Sequence, residues 1–351
     1  MGLTHPADLT AWRRWQERHR PLTARAKGLL GGLRDSPVDA VVALGGSHPR
    51  LLVVLDAVKA TTRLAQLAPL RHLDLEDVGV LAPVSVRPLL PNHSWTENTG
   101  PAAQLLRETL RARTLVLSTG HYLPLGALAR SLVADPRRFI TIQHGLLTPQ
   151  APPLAPETAL LSWTASDGDF WRSGRSDVQG VAVGSQLLWE AAGSDPDQPA
   201  RGEDGLDSEV PVYLGQLHGA ELPTDLLARA AYDFCWETGA TYRPHPSETD
   251  HRSLATHAAW ERAGISIDRS GTPLTEIRRP VVSVYSTGVL EAAARGLPAW
   301  VDLPDAPPWL EEFWHRNGMH RWGQDPTPAP RQPAVEPSIA VAHVLREMMD
   351  G

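Results

Sequence analysis

Cysteine is all but missing from this chain. Cys235 stands alone, so no internal disulfide and no Cys-x-x-Cys zinc or redox pair can form. A reducing cytoplasm is the natural compartment for such a protein. Lysine is almost as scarce, with Lys27 and Lys59 the sole examples among 33 basic residues. Forty acidic residues outnumber the basic ones and leave a formal net charge of -7. A nucleic-acid binder usually carries a strongly basic domain, so no nucleic-acid partner is expected. No apolar run approaches the ~20 residues of a membrane span. The N-terminal MGLTHPADLTAWRRWQERHR also lacks the apolar stretch of a signal peptide, and no solenoid-type repeat is visible.

Proline, by contrast, is abundant at 32 of 351 residues, about 9% where ~5% is usual. The 42% hydrophobic and 21% charged fractions are those of a globular chain and argue against wholesale disorder. From Val38 onward, short β-branched apolar runs alternate with helical patterns. Strands are expected at Val38–Leu44, Val78–Val84, Thr114–Leu117, Phe139–Gln143, Ala159–Trp163 and Val181–Val183. A helix over Pro124–Ala134 places Leu125, Leu128, Leu132 and Val133 on one buried stripe. Such alternation predicts parallel βαβ units buried on both faces.

The acidic, Gly- and Pro-rich stretch 193–209 predicts a linker. The alternation then resumes, with strands at Val210–Leu214, Ala240–Arg243, Val281–Tyr285 and Ala299–Asp302. Helices are expected at Thr224–Thr238, Arg252–Ala263 and Gly288–Arg295. The expected organisation is an N-terminal α/β domain over 1–192, the linker 193–209 and a second α/β domain over 210–325. A proline-rich strap and a C-terminal helix (Ser338–Met349) fill 326–351. Ligands of open α/β sheets bind at strand C-termini, which directs attention to the residues that follow each strand.

Four strand ends carry chemistry. In TYRPHPSE, Arg243, His245 and Ser247 follow a strand, and Pro244 and Pro246 stiffen the turn. A guanidinium and an imidazole held this way suit a phosphate oxygen, although a rigid turn with a capping histidine reads equally well. In VVSVYSTGVLEAAARGLP, Ser286-Thr287-Gly288 opens a helix whose exposed N–H groups suit an anion. Gly288 would let a phosphate approach the backbone. Glu291, read as lying in the first turn, either accepts from ribose hydroxyls or is a charge favoured by the helix dipole. In the first half, Gln143-His144-Gly145 places an imidazole at a strand end, where it can take a proton from an attacking hydroxyl. His121, in Ser118-Thr119-Gly120-His121, is similarly placed. Gly45-Gly46-Ser47 after the first strand suits an anion or a cleft wall on the acceptor side, together with His121 and Gln143. Gly215-Gln216 occupies the equivalent place in the second half.

Together these segments resemble a GT-B glycosyltransferase. More narrowly, they are similar to the bacterial group of polysialyltransferases, capsule Kdo transferases and CDP-glycerol glycerophosphotransferases. The residues that carry the resemblance are His245-Pro246, Ser286-Thr287, the Glu291, Gly296 and Pro298 of EAAARGLP, Gly215-Gln216 and the Gln143-His144-Gly145 turn. The acidic Asp/Glu-Asp/Glu-Gly motif of the polysialyltransferases has no clear counterpart here, and Gln143 stands where the glycerophosphotransferases carry tryptophan.

The resemblance implies two Rossmann-like α/β domains facing across a cleft, with His144 and His245 brought to a shared crevice. It implies an inverting, metal-independent transferase with no cofactor beyond a CMP- or CDP-linked donor. In this reading His245 and Ser286-Thr287, with Arg243, Gly288, Glu291, Gly215 and Gln216, hold the donor, and His144 activates a glycan or lipid-linked acceptor in cell-envelope synthesis. Two alternatives stay open: a UDP-sugar enzyme (transferase or 2-epimerase-like) and a catalytically silent nucleotide-sugar-binding subunit. Residues 12–27 carry six Arg or Lys against one Glu, with Trp12 and Trp15 three apart. They form either a tryptophan-packed helix or a peripheral contact with an anionic membrane face.

Overall fold

The computed structural model describes residues 2–19, 38–193 and 206–351. Most of the expected linker, and residues 20–27 of the arginine-rich segment, lie outside the described residues. The chain divides into two compact units. The first takes in the described residues of Met1–Arg13, Gly32–Leu187 and Pro333–Gly351, and the second those of Arg14–Gly31 and Leu188–Gln332.

Helix α1 (Leu9–His19) comes first. Trp12 on it is buried, donates Nε1–H to the Gln150 carbonyl at 2.8 Å and meets Tyr122 edge-on at 5.5 Å. Of the two tryptophans on this helix, Trp12 is therefore spent on packing, and Trp15 is half-buried.

The first sheet has eight strands: β1 (Asp39–Leu44), β2 (Leu51–Val54), β3 (Val78–Ala82), β4 (Thr96–Pro101), β5 (Leu115–Ser118), β6 (Phe139–Ile142), β7 (Ala159–Ser162) and β8 (Gln179–Ala182). Their spatial order is β4-β1-β3-β2-β5-β6-β7-β8. From β3 across to β8 every pairing is parallel. β1 departs from the expected parallel pattern, since it runs antiparallel to both β3 and β4, with Leu44 opposite Gly79. Sequence pattern could not show this, because a short apolar run carries no direction.

Side chains on β2 alternate between two cores. Leu51 and Val53 join one cluster with Leu67, Leu70 and Val80, while Leu52 and Val54 join the other with Leu105, Leu106, Leu125 and Phe139. Helix α2 (Ala60–Gln66) leads into the first cluster, and α3 (Ala102–Thr109) and α4 (Pro124–Leu132) cover the second. The chain therefore leaves β2 over one face and β5 over the other. Their C-terminal ends thus flank this sheet's switch point, the place where open α/β sheets bind ligands. Helix α5 (Ala165–Arg172) joins β7 to β8, and α6 (Gln186–Ala192) follows.

The second unit is built on β9 (Val212–Leu214), β10 (Thr241–Arg243), β11 (Val281–Ser283) and β12 (Ala299–Val301). They are all parallel in the order β10-β9-β11-β12. Helices α7 (Thr224–Thr238), α8 (His251–Arg262), α9 (Thr287–Ala294) and α10 (Pro308–Arg316) complete it. β9 sends the chain to β10 on one side, and β11 lies on its other side, so β9 and β11 flank this sheet's switch point.

The last helix, α11 (Pro337–Asp350), belongs to the first unit. Its Val341, Ala342 and Leu345 are buried in the cluster of Leu51 and Val53. The Ser338 N–H donates to Gln186 Oε1 at 2.9 Å, and Arg71 pairs with Glu336 at 2.5 Å. Leu345 is fully buried, so Leu345→Ala should cost about 2–5 kcal/mol. Denaturant unfolding followed by circular dichroism measures it. A loss under ~1 kcal/mol would mean that α11 is not part of that core.

Candidate functional site

In the second unit, two turns at the C-terminal edge are laced together around one carboxylate. Glu248 is almost wholly buried. Its Oε1 accepts the Leu217 N–H at 2.9 Å, and Oε2 accepts the Tyr242 hydroxyl at 2.9 Å and faces His257 Nε2 at 3.0 Å. The Glu248 N–H donates to the His245 carbonyl at 2.8 Å. One residue thus ties the turn after β9 to the turn after β10. Burial and the neighbouring carboxylate push the Tyr242 phenol far above its ordinary range, so it stays a donor.

His245 is oriented twice over. Its Nδ1 accepts the Ser247 N–H at 3.1 Å, which leaves Nε2 as the nitrogen that carries the proton in the neutral ring. The ring also stacks on His218, with centroids 3.7 Å apart and planes 16° from parallel. His218 belongs to the turn after β9, and no sequence signal marked it. Gln216 of the same turn reaches the other way. Its Oε1 accepts from the Ser283 hydroxyl at 3.0 Å and from the Tyr285 N–H at 2.9 Å, which fixes the end of β11.

Several residues expected to touch a donor have other work. A Cβ at Gly215 would lie 2.3 Å from the Tyr242 hydroxyl oxygen, so this glycine lets β9 pass the Glu248 network. A Cβ at Gly288 would meet Leu214 at 2.5 Å and Leu274 at 2.9 Å. Close packing of α9 against β9 and Leu274 is by itself enough to require that glycine. Arg243 pairs with Asp268 at 2.6 Å and also donates to the Thr272 carbonyl, so its guanidinium is directed at the 268–272 loop. Ser286 caps α9 and accepts the Gly288 N–H at 3.1 Å.

Glu291 lies one turn further along α9 than expected, and no acidic residue occupies the first turn. The dipole alternative therefore falls away. Its carboxyl is pushed up to about 7, chiefly by burial and against the nearby charge of Arg295. A carboxyl this desolvated, at the helix that follows β11, is an acceptor suited to a hydroxylated ligand.

In the first unit, His144 stands immediately beyond β6 and lines a pocket of about 20 Å³ with Thr61, Trp163, Gln186 and Ser338. That volume holds about one water. Burial, with a smaller contribution from Lys59, lowers the ring to about 4, so it is neutral and able to accept a proton at pH 7. Gln143 is committed to its surroundings. Its Oε1 accepts the Trp163 N–H at 2.8 Å, and Nε2 donates to the Gly145 carbonyl at 3.0 Å. These two bonds orient the His144 turn and leave one amide N–H and one oxygen lone pair of the side chain outside them.

Asp56, which sequence reasoning passed over, sits beyond β2 at the first sheet's switch point. It accepts the Leu125 and Gly126 N–H groups at 2.7 and 2.9 Å and so caps α4 from a distance. Burial raises its carboxyl despite those two bonds. His121 follows β5 on the same edge and is likewise lowered to about 4, mainly by burial.

Gly45-Gly46-Ser47 lies elsewhere. β1 is reversed, so its end sits beside the start of β3, on the edge opposite His144, and the Gly45 N–H donates to Val78 there at 2.9 Å. A Cβ at Gly45 would fall 1.8 Å from the Leu75 carbonyl oxygen, and one at Gly46 2.4 Å from that of Glu76. Close backbone packing accounts for both glycines.

Glu248→Ala leaves a phenol, an imidazole and an amide without their acceptor. The expected loss is about 3–5 kcal/mol, read by denaturant unfolding. Glu291 gives a pH signature. Its raised folded-state value means that the folded chain holds a proton that the unfolded chain releases between pH 4.5 and about 7. Wild-type stability is therefore eroded by this group as pH rises through that window. Glu291→Gln should gain on the order of 2–3 kcal/mol over wild type between pH 4 and pH 8 in paired unfolding curves. A flat difference would contradict the raised carboxyl.

No protein-family model matches the sequence, and neither does any curated protein. Among solved structures, the chain is similar to the UDP-GlcNAc 2-epimerase of Methanocaldococcus jannaschii, at 12% identity over 85% of this chain and 99% of that one, with a TM-score of 0.46. It is also similar to a glycosyltransferase from Rickettsia africae ESF-5, at 10% identity over 87% and 94%, with a TM-score of 0.43. A GtfA/B complex chain matches at 13% identity over 73% and 55%, with a TM-score of 0.33.

Proposed function

We propose that this chain is a nucleotide-sugar glycosyltransferase whose second unit binds the donor and whose first unit supplies the base for the acceptor. The observation that carries this reading is the linked set of turns after β9, β10 and β11. There His245 is locked with Nε2 as its donor atom, and the turns stand on the same edge as the N-terminus of α9. A fixed imidazole donor and a capped helix start are suited to a nucleotide phosphate.

In the reaction, an acceptor hydroxyl attacks the anomeric carbon of the donor and a new C–O bond forms. The bond from that carbon to the phosphate oxygen breaks, and the nucleotide leaves with the electron pair. Donors aimed at the departing oxygen lower the barrier by stabilising charge that exists only as the bond breaks. His144, neutral at pH 7, takes the hydroxyl proton, and Glu291 accepts from hydroxyls of the nucleoside or sugar.

A cytidine-activated donor and an envelope-glycan acceptor are the finer form of this proposal. UDP-sugar chemistry is its direct competitor, because nothing on the β9–β11 edge chooses between pyrimidine bases.

Calorimetric titration with CMP, CDP and UDP decides the nucleotide, and release of nucleotide from the matching sugar donors decides the activity. His245→Ala should weaken nucleotide binding about tenfold or more, as expected for loss of a charge-assisted hydrogen bond. His144→Ala should lower turnover by about 10²–10⁴ with nucleotide affinity unchanged. No binding of any of the three nucleotides would refute the proposal. Binding without turnover on any acceptor would favour the silent-subunit reading.

A further inference from the structure

The first turn of α11 is held by more than its packing. Val341, Ala342 and Leu345 bury its apolar face, and two polar side chains, Gln186 and Ser338, are buried beside it. Gln186 grips the turn with both ends of its amide: Oε1 accepts the Ser338 N–H at 2.9 Å, and Nε2 donates to Glu336 Oε1 at 2.9 Å. The same carboxylate oxygen accepts the Ser338 hydroxyl at 2.6 Å and the Arg71 guanidinium at 2.5 Å. Arg71 also donates to the Ser338 oxygen at 3.2 Å, and His72 Nε2 lies 3.0 Å from it. A helix leaves its first N–H groups without intrahelical partners, and here α6 supplies one of them.

This network forms one wall of the His144 pocket. Gln186, Pro337 and Ser338 line the same cavity of about 20 Å³ as Gln143, His144 and Trp163. The walls are bonded to each other: the Gly184 N–H donates to the Trp163 carbonyl at 3.1 Å, and Gln143 accepts the Trp163 N–H. A Cβ at Gly184 would lie 2.9 Å from both Pro333 and Pro337, so the proline-rich strap rests directly on this wall. Buried polar groups gain little over apolar ones of the same shape, and the apolar face alone would dock α11. What the hydrogen bonds add is a fixed place for one turn, and that turn bounds the space beside His144.

We propose that Gln186 and Ser338 are positioning residues for His144, holding the first turn of α11 as a wall that keeps the ring in place and limits the water beside it. The wall stands on the contacts alone; its use in positioning a base rests on the transferase reading above. The described lining carries no titratable side chain besides His144. Lys59 acts on the ring from the start of α2, and Arg71, His72 and Glu336 lie behind the wall. Burial is the main reason that the ring's proton affinity is low, so a loosened wall that admits water moves it back up.

The test is an NMR titration of the histidine Cε1–H signals of the full chain, with His144 assigned by its loss in His144→Ala. In the wild type the ring should titrate at about 4. Ser338→Ala and Gln186→Ala change no charge, so a midpoint raised to about 5 or above reports admitted water and not a new electrostatic partner. Turnover in the same variants should fall about tenfold or more, with CMP, CDP and UDP affinities unchanged. Arg71→Lys, exposed and charge-conserving, should give a smaller rise even where the buried variants fail to fold. Folded variants whose His144 titrates as in the wild type overturn the wall, because a network that only anchors α11 would lower stability and leave the ring unmoved. Turnover equal to wild type in variants whose titration has moved overturns the positioning. A moved titration in a chain that transfers from no donor counts against the transferase reading alone.

Discussion

A parallel sheet covered by helices on both faces has only its edges left for chemistry. In the first unit β2 is LLVV, with every side chain buried, and its two faces feed two separate clusters. No polar group can be placed on such a strand without opening a core, so functional residues must follow strand ends. The C-terminal edge is favoured because the chain there leaves over opposite faces and parts around a crevice. Asp56, His121 and His144 all stand just beyond such ends, as do Gln216, His245 and Ser286 in the second unit. Reversal of β1 obeys the same constraint from the other side. It sends Gly45-Gly46 to the wrong edge, where those glycines serve packing.

Within the second unit, buried electrostatics does the positioning. Glu248 has no exposed side-chain surface, and His257 opposite it has almost none. A carboxylate in that setting is tolerable only when well hydrogen-bonded, and its three partners come from β10, the β9 turn and α8. The cost of burying it is offset by geometry: the turns that carry His218 and His245 are held at one spacing, and their rings stack. Gln216 extends the same wiring to β11 through two bonds to one oxygen. The three turns of the candidate site are thereby tied to one another and to the sheet beneath them.

Much of this was legible in the sequence, and the failures share a cause. Helix α7 falls where its apolar periodicity places it, and β9 through β12 lie within their expected spans, because β-branched runs closed by Gly or Pro are strong local signals. β2 was passed over although it is central, since four apolar residues after Pro49-Arg50 fit a strand or a helix turn equally. β4, TENTGP, was invisible for the opposite reason: its composition disfavours strand, and pairing with β1 alone makes it one. At the site, histidines and hydroxyls at strand ends were readable as residue types. What each side chain is spent on was not. Arg243 turning to Asp268, Gln143 to Trp163 and Glu248 to three partners are long-range choices made by tertiary packing.

The lowered proton affinity of His144 follows from the same economy. Burial is the main cause and Lys59 the lesser one. An anion arriving beside Lys59 would cancel only the smaller part, so the ring would still lie below its ordinary value. A base weakened in this way is never trapped as its protonated form near neutral pH, and each proton it takes is readily passed on. If His144 acts as the proposed base, what it loses in driving force must be recovered by position, with a hydroxyl held within hydrogen-bond reach of the ring. In the proposed reaction that position would come from Gln143, which fixes the His144 turn through one bond to Trp163 and one to Gly145.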